Sequence, residues 1–163
     1  MVDTRLLVFV CNFCSYGGAD KAGGLRLDYP AGARLVRVMC SGRVDPQLVL
    51  HAFRAGADGV LVLGCHPGDC HFKEGNHHAA RRAALLSGLL RGYGIEPERF
   101  AIDWVSAGEG ERLQRVVTEM YARVAALPPL TLAPRSPEGP EPGEQATGDR
   151  RQATGDAGEG GAA

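Results

Sequence analysis

The chain has 163 residues, 44% of them hydrophobic and 23% charged, with a net charge of −1. That length suits one domain with a real core, and the near-neutral balance calls for neither nucleic acid nor a membrane surface as partner. Its longest apolar runs, such as Leu6–Val10 and Val60–Leu63, are far too short to insert across a membrane, and no signal-peptide pattern follows Arg5, so a cytoplasmic location is expected.

The first strand is Leu6–Val10 (LLVFV), ending at Cys11. The Gly-rich stretch from Asn12 to Gly32 reads as a loop with a short helix around Ala19–Leu27. Ala33–Met39 (ARLVRVM) is the second strand and ends at Cys40. In Asp45–Arg54, Leu48, Val49, Ala52 and Phe53 recur at helical spacing. Asp45 caps that helix, and Pro46 takes the first helical position. Gly59–Leu63 (GVLVL) is the third strand, running into Gly64-Cys65. Asn76–Arg91 is an Ala/Leu/Arg-rich helix closed by Gly92 and Gly94. Phe100–Val105 is the fourth strand. Gly110–Leu127 is a helix stopped by Pro128-Pro129, with Leu113, Val116, Val117, Met120, Tyr121 and Val124 at helical spacing.

Strands that alternate with helices predict an α/β fold: a parallel sheet of about four strands, buried on both faces and flanked by helices through right-handed crossovers. The composition changes after Leu127. Residues 128–163 hold six of the ten prolines and no aromatic residue, and the segment QATGD at Gln145–Asp149 recurs at Gln152–Asp156. Such a stretch buries too little apolar surface to offset its ordering entropy. We expect an α/β domain over residues 1–127 and a disordered, solvated Pro/Gly/Glu-rich tail over residues 128–163.

All five cysteines, Cys11, Cys14, Cys40, Cys65 and Cys70, fall within the first 70 residues. The odd count and the expected reducing compartment argue against a disulfide framework. In a parallel sheet every strand ends along one edge. Cys11, Cys40 and Cys65 follow strand ends, and Cys14 and Cys70 lie in the loops leaving the first and third strands. With those strands as neighbours, all five sulfurs converge. Converging thiolates hold iron–sulfur clusters or zinc. A [2Fe–2S] cluster needs four of them, which leaves one over. Zinc binding, or thiol–disulfide exchange by Cys11 and Cys14, are the alternatives. A flavodoxin-type flavin site is weaker, because the first loop lacks a Ser/Thr-rich phosphate cradle. His66, His71, His77 and His78 cluster near the third strand and read as a polar loop around the site. Trp104 reads as packing.

The blocks Val8–Tyr16 (VFVCNFCSY), Val38–Arg43 (VMCSGR) and Gly64–Gly75 (GCHPGDCHFKEG) closely resemble the delta subunit of methyl-viologen-reducing [NiFe]-hydrogenase. The resemblance covers about residues 5 to 127. It implies a flavodoxin-like domain that binds one [2Fe–2S] cluster through cysteines, with Cys11, Cys14, Cys40, Cys65 and Cys70 all matching family positions. It also implies partners: a hydrogenase or formate dehydrogenase module on one side, and the flavin-containing subunit of heterodisulfide reductase, a flavoprotein, on the other. The chain supplies no nickel site and no nucleophile with its base, so catalysis would belong to the partners.

Overall fold

The computed structural model describes residues 4–132. Its sheet has four parallel strands, β1 (Leu6–Cys11), β2 (Ala33–Val38), β3 (Gly59–Gly64) and β4 (Phe100–Trp104), in the order β2-β1-β3-β4. The helices are α1 (Ser15–Gly24), α2 (Pro46–Arg54), α3 (Gly75–Gly92) and α4 (Gly110–Ala125). Winding reverses between β1 and β3, so the switch point lies where these two central strands end.

Strand side chains alternate between two cores. On one face Leu6, Val8, Val10, Leu61 and Leu63 meet Ala22 of α1 and Leu113, Val117, Met120 and Val124 of α4. On the other, Phe9, Val60 and Val62 meet Val49 and Phe53 of α2 and Ala83, Leu86 and Leu90 of α3. Each of the Val, Leu, Phe and Met side chains among these stabilises the fold by roughly 1.5–3 kcal/mol through burial. Asp45 caps α2 as expected, its Oδ1 accepting from the Gln47 N–H at 2.9 Å.

Three features differ from the sequence reading. Burial on both faces holds for β1 and β3, whereas β2 is an edge strand with Arg34 and Arg37 exposed. Its last residue is Val38, so Met39 stands between the strand and Cys40. Helix α1 begins at Ser15, four residues before the expected start, and ends at Gly24. Its glycines disguise it, because glycine lowers helix propensity. They are there for close packing. A Cβ at Gly18 would stand 3.0 Å from the Ser106 carbonyl oxygen, and one at Gly17 would stand 2.9 Å from the Ala107 Cβ.

The packed chain also continues past Leu127, the expected domain boundary. Leu130 and Leu132 lie against the α2/α3 core. Arg99, 1% exposed, donates to the carbonyls of Asp58 and Pro128 and pairs with Glu96. The rest of the expected tail, residues 133–163, lies outside the described residues. A chain cut after Leu127 should therefore be less stable to urea than one cut after Leu132, by about 1–3 kcal/mol, since it loses two apolar side chains and a carbonyl partner of a buried guanidinium. Equal unfolding midpoints would show that these contacts contribute nothing.

Candidate metal centre

All five cysteines are buried in one cluster at the C-terminal edge of the sheet. Cys11 ends β1, and Cys65 directly follows the neighbouring β3, so parallel pairing brings their sulfurs to 3.8 Å. Cys14, at the start of α1, completes a trio whose sulfurs lie within 4.8 Å of one another. Cys40 and Cys70 approach from the loops after β2 and β3 and meet over Gly75. A Cβ at Gly75 would collide with the Cys40 sulfur and stand 3.2 Å from that of Cys70. Glycine is required there because the two sulfurs occupy the space a side chain would fill.

Hydrogen bonds fix the loops that carry these thiols. The Cys11 N–H donates to Ser15 Oγ at 2.7 Å, and that hydroxyl donates to the Leu63 carbonyl at 2.7 Å, so β1, α1 and β3 are tied at the site. Asn76 is buried and its Nδ2 donates to the carbonyls of Cys65 and His66, holding the third loop against the start of α3. The Gly42 N–H donates to the Cys40 sulfur at 3.4 Å.

Crowded thiols compete for charge. The neighbouring Cys14 thiol, and backbone N–H groups at Phe13 and Ser41, pull Cys11 down to about 5, so it is the first to become thiolate. Cys14 is pushed up, by that same contact and by burial. Burial raises Cys40, and it raises Cys65 to about 11. A bound cation removes this conflict by stabilising several thiolates together. Cys11 is the low-pKa thiol that disulfide exchange would need, yet it is only 1% exposed. A disulfide substrate has no direct approach to it.

The four histidines do not join the sulfurs. His66 is hydrogen-bonded to Glu109 at 2.7 Å, and His78 lies 3.7 Å from Glu74. His71 stacks on Phe13 with ring centroids 4.0 Å apart, and Phe72 meets both edge-on. This aromatic clasp joins the Cys14 loop to the Cys70 loop and was missed in the sequence. Its signal was there, because Phe13 precedes Cys14 and His71-Phe72 follow Cys70. Beside the clasp is a cleft of about 490 Å³ lined by Met39, Cys40, Arg43, Phe72 and Lys73 among others. Met39 is 59% and Phe72 51% exposed, so an apolar rim surrounds the buried thiols.

The domain that carries these thiols is similar over its length to known proteins. Residues 6–128 match the family described as methyl-viologen-reducing hydrogenase, delta subunit. The chain belongs to that family. It is 48% identical over 130 residues to an F420-non-reducing hydrogenase iron-sulfur subunit of Methanococcus voltae, covering 80% of this chain and 90% of that one. Its identity to the corresponding iron-sulfur subunit of Archaeoglobus profundus is 49% over 128 residues, covering 78% of this chain and 93% of the relative. It is also 41% identical over 125 residues to one subunit of the ferredoxin:CoB-CoM heterodisulfide reductase of Methanosarcina mazei, covering 77% of this chain but 16% of that one. In this last relative, the region matching the delta-subunit domain is a small part of a much longer polypeptide.

Two outcomes test the site's construction. Gly75→Ala should raise intrinsic helix propensity by up to about 1 kcal/mol yet impair metal loading, because the methyl group collides with the Cys40 and Cys70 sulfurs. Metal content after reconstitution, compared with the wild type, checks it. Glu109 is held down to about 2, first by the Ser106 N–H and then by His66. Its folded pKa is depressed, so its contribution to stability is complete above the usual carboxylate value of about 4.5 and is lost as pH falls toward about 2. Glu109→Gln should flatten the pH dependence of the unfolding midpoint within that window; an unchanged slope would exclude the carboxylate as its source.

Proposed function

We propose that this chain is an electron-transfer subunit that holds a [2Fe–2S] cluster on four of Cys11, Cys14, Cys40, Cys65 and Cys70. In this reading it relays electrons between a hydrogenase or formate dehydrogenase module and the flavin-containing subunit of a heterodisulfide-reductase-like complex, in the cytoplasm. The observation that carries it is the chemistry of the donor set: five buried sulfurs converge, with no imidazole or carboxylate among them. Soft thiolates at that number suit iron–sulfur ligation. The names of the hydrogenase iron-sulfur relatives and of the Methanosarcina mazei heterodisulfide reductase supply the class of cofactor and partner.

When bound, such a cluster supplies a one-electron couple. The chain's own residues do the rest. Strands β1 and β3 bring the Cys11 and Cys65 thiols to one edge of the sheet, Gly75 leaves room for the sulfurs, and the Gly42 N–H stabilises charge on Cys40. The aromatic clasp joins the loops that carry the buried Cys14 and Cys70. Phe13, Met39 and Phe72 remain exposed around the thiols, and we place the partner contact there. The described helices include none long and apolar enough to cross a membrane. Residues 133–163 contain no cysteine.

Purification without oxygen, with assays of iron, acid-labile sulfide and zinc, tests the cofactor. We expect iron and sulfide in equal amounts, a coloured protein, and a paramagnetic signal on one-electron reduction. A colourless protein holding zinc and no iron overturns the reading. For the partner contact, Met39→Glu should leave iron content unchanged and weaken electron transfer to a co-expressed flavoprotein partner about tenfold or more. Unchanged transfer would place the contact elsewhere.

A further inference from the structure

Helix α3 buries only one of its sides. Ala79, Ala83, Leu86 and Leu90 face the core, whereas Leu85 and Leu89 are 70% and 52% exposed, and Tyr93, at the helix end, is 67% exposed. Spaced four residues apart, these three form one row along the helix. Beside it runs a second exposed row of small residues, Ala84, Gly88 and Gly92. A single exposed leucine is ordinary, but a large apolar row next to a shallow groove has the shape of a helix-packing face.

Gly88 answers to nothing among the described residues. It lies inside α3, where glycine is less stable than alanine. A Cβ there would meet no atom within 4 Å, and positive φ among the described glycines is confined to Gly56, Gly68 and Gly94. Gly17, Gly18, Gly42 and Gly75 are different, because each would press a Cβ against atoms of its own chain. A glycine with open space outside it admits a second backbone from elsewhere. The charge of the face says what kind. From Gly75 to Gly92 the helix has no Asp or Glu, and Arg81 and Arg91 flank the groove without a carboxylate partner among the described residues. A second copy fits poorly, since twofold pairing would set these arginines against each other. Residues 133–163 are acidic but hold no Val, Ile, Leu, Met, Phe, Tyr or Trp to cover the apolar row. A lipid surface favours large apolar side chains, not a groove of glycines.

We propose that the outer face of α3 docks a partner protein through an apolar helix edged by Asp and Glu, which lies in the Ala84/Gly88/Gly92 groove against Leu85, Leu89 and Tyr93. This contact is separate from the one around Met39 and rests on the relay reading only for the choice of subunits to test. It holds the chain in its complex, and the carboxylates of the partner helix pair with Arg81 and Arg91 at the rim of the contact.

The test uses the full chain purified without oxygen, alone and co-expressed with a hydrogenase-type subunit or a flavoprotein subunit. Gly88→Ala should raise the urea midpoint of the isolated chain, because the helix gains propensity, yet weaken retention of one co-expressed subunit. Gly88→Leu fills the groove and should weaken that retention about tenfold or more with iron content unchanged. Arg81→Glu combined with Arg91→Glu should weaken it at low salt, with a smaller difference at high salt. A photoreactive benzoylphenylalanine in place of Leu89 should crosslink to a carboxylate-edged helix of the retained subunit. Crosslinking to a second copy or to residues 133–163 overturns the inference. So does binding of the isolated chain to vesicles of equal phosphatidylcholine and phosphatidylserine that Gly88→Leu strengthens. Retention that Gly88→Leu leaves intact fails this inference alone, whereas a wild-type chain that retains neither subunit fails the relay reading together with it.

Discussion

Parallel pairing of β1 with β2 on one side and β3 on the other is the constraint on which the rest of the molecule depends. Val10 stands opposite Leu63, and Cys11 stands opposite Val38, so the chain leaves all three strands at the same level of the sheet. The backbone ladder, not any affinity between thiols, brings Cys11, Cys40 and Cys65 together. A one-residue slip in register would turn every strand side chain to the opposite face and remove both cores at once. The thiols are therefore positioned by the burial of Val8, Val10, Val60, Leu61, Val62 and Leu63, which stabilises that one register.

Concentrating thiols at that edge has an electrostatic cost. Buried sulfurs this close cannot all ionise, and the opposite shifts of Cys11 and Cys14 express the conflict. Backbone N–H groups relieve part of it at Cys11 and Cys40, and a bound cation relieves more. The glycines at the site have the same origin. At Gly75 the missing side chain leaves room for two sulfurs, and at Gly42 a Cβ would stand 2.7 Å from the Gly75 carbonyl oxygen. The loop after β2 and the start of α3 consequently pack backbone against backbone, beside the Cys40 and Cys70 sulfurs.

The site is buried but its surroundings are not closed. Phe13, His71 and Phe72 clasp two cysteine loops to each other while leaving apolar surface exposed, and Met39 extends that surface toward Arg43 and Lys73. The cleft there also carries Glu74 and His78, so its apolar surface has charged groups of both signs beside it. The Methanosarcina mazei relative, where a matching segment occupies 16% of a longer chain, is similar over the same domain while joined covalently to further sequence.

The sequence by itself determined the alternation of strands and helices, the positions of three cysteines at strand ends and the expectation that all five converge. These are local: apolar runs set the strands, Asp45-Pro46 and the glycines set helix ends, and a parallel α/β pattern places every strand end on one edge. Only the tertiary structure decided the rest. Helix α1 was obscured because its glycines answer to packing against the loop around Ser106 and Ala107, not to helix propensity. Leu130, Leu132 and the Pro128 carbonyl belong to the packed chain because Arg99 and the α2/α3 core reach them across the fold. His66 pairs with Glu109, 43 residues away, and the division of five thiols into a trio and a pair depends on how three loops meet over Gly75. Contacts between residues so distant in the chain leave no periodicity in sequence, because they are fixed by the register of the sheet between them.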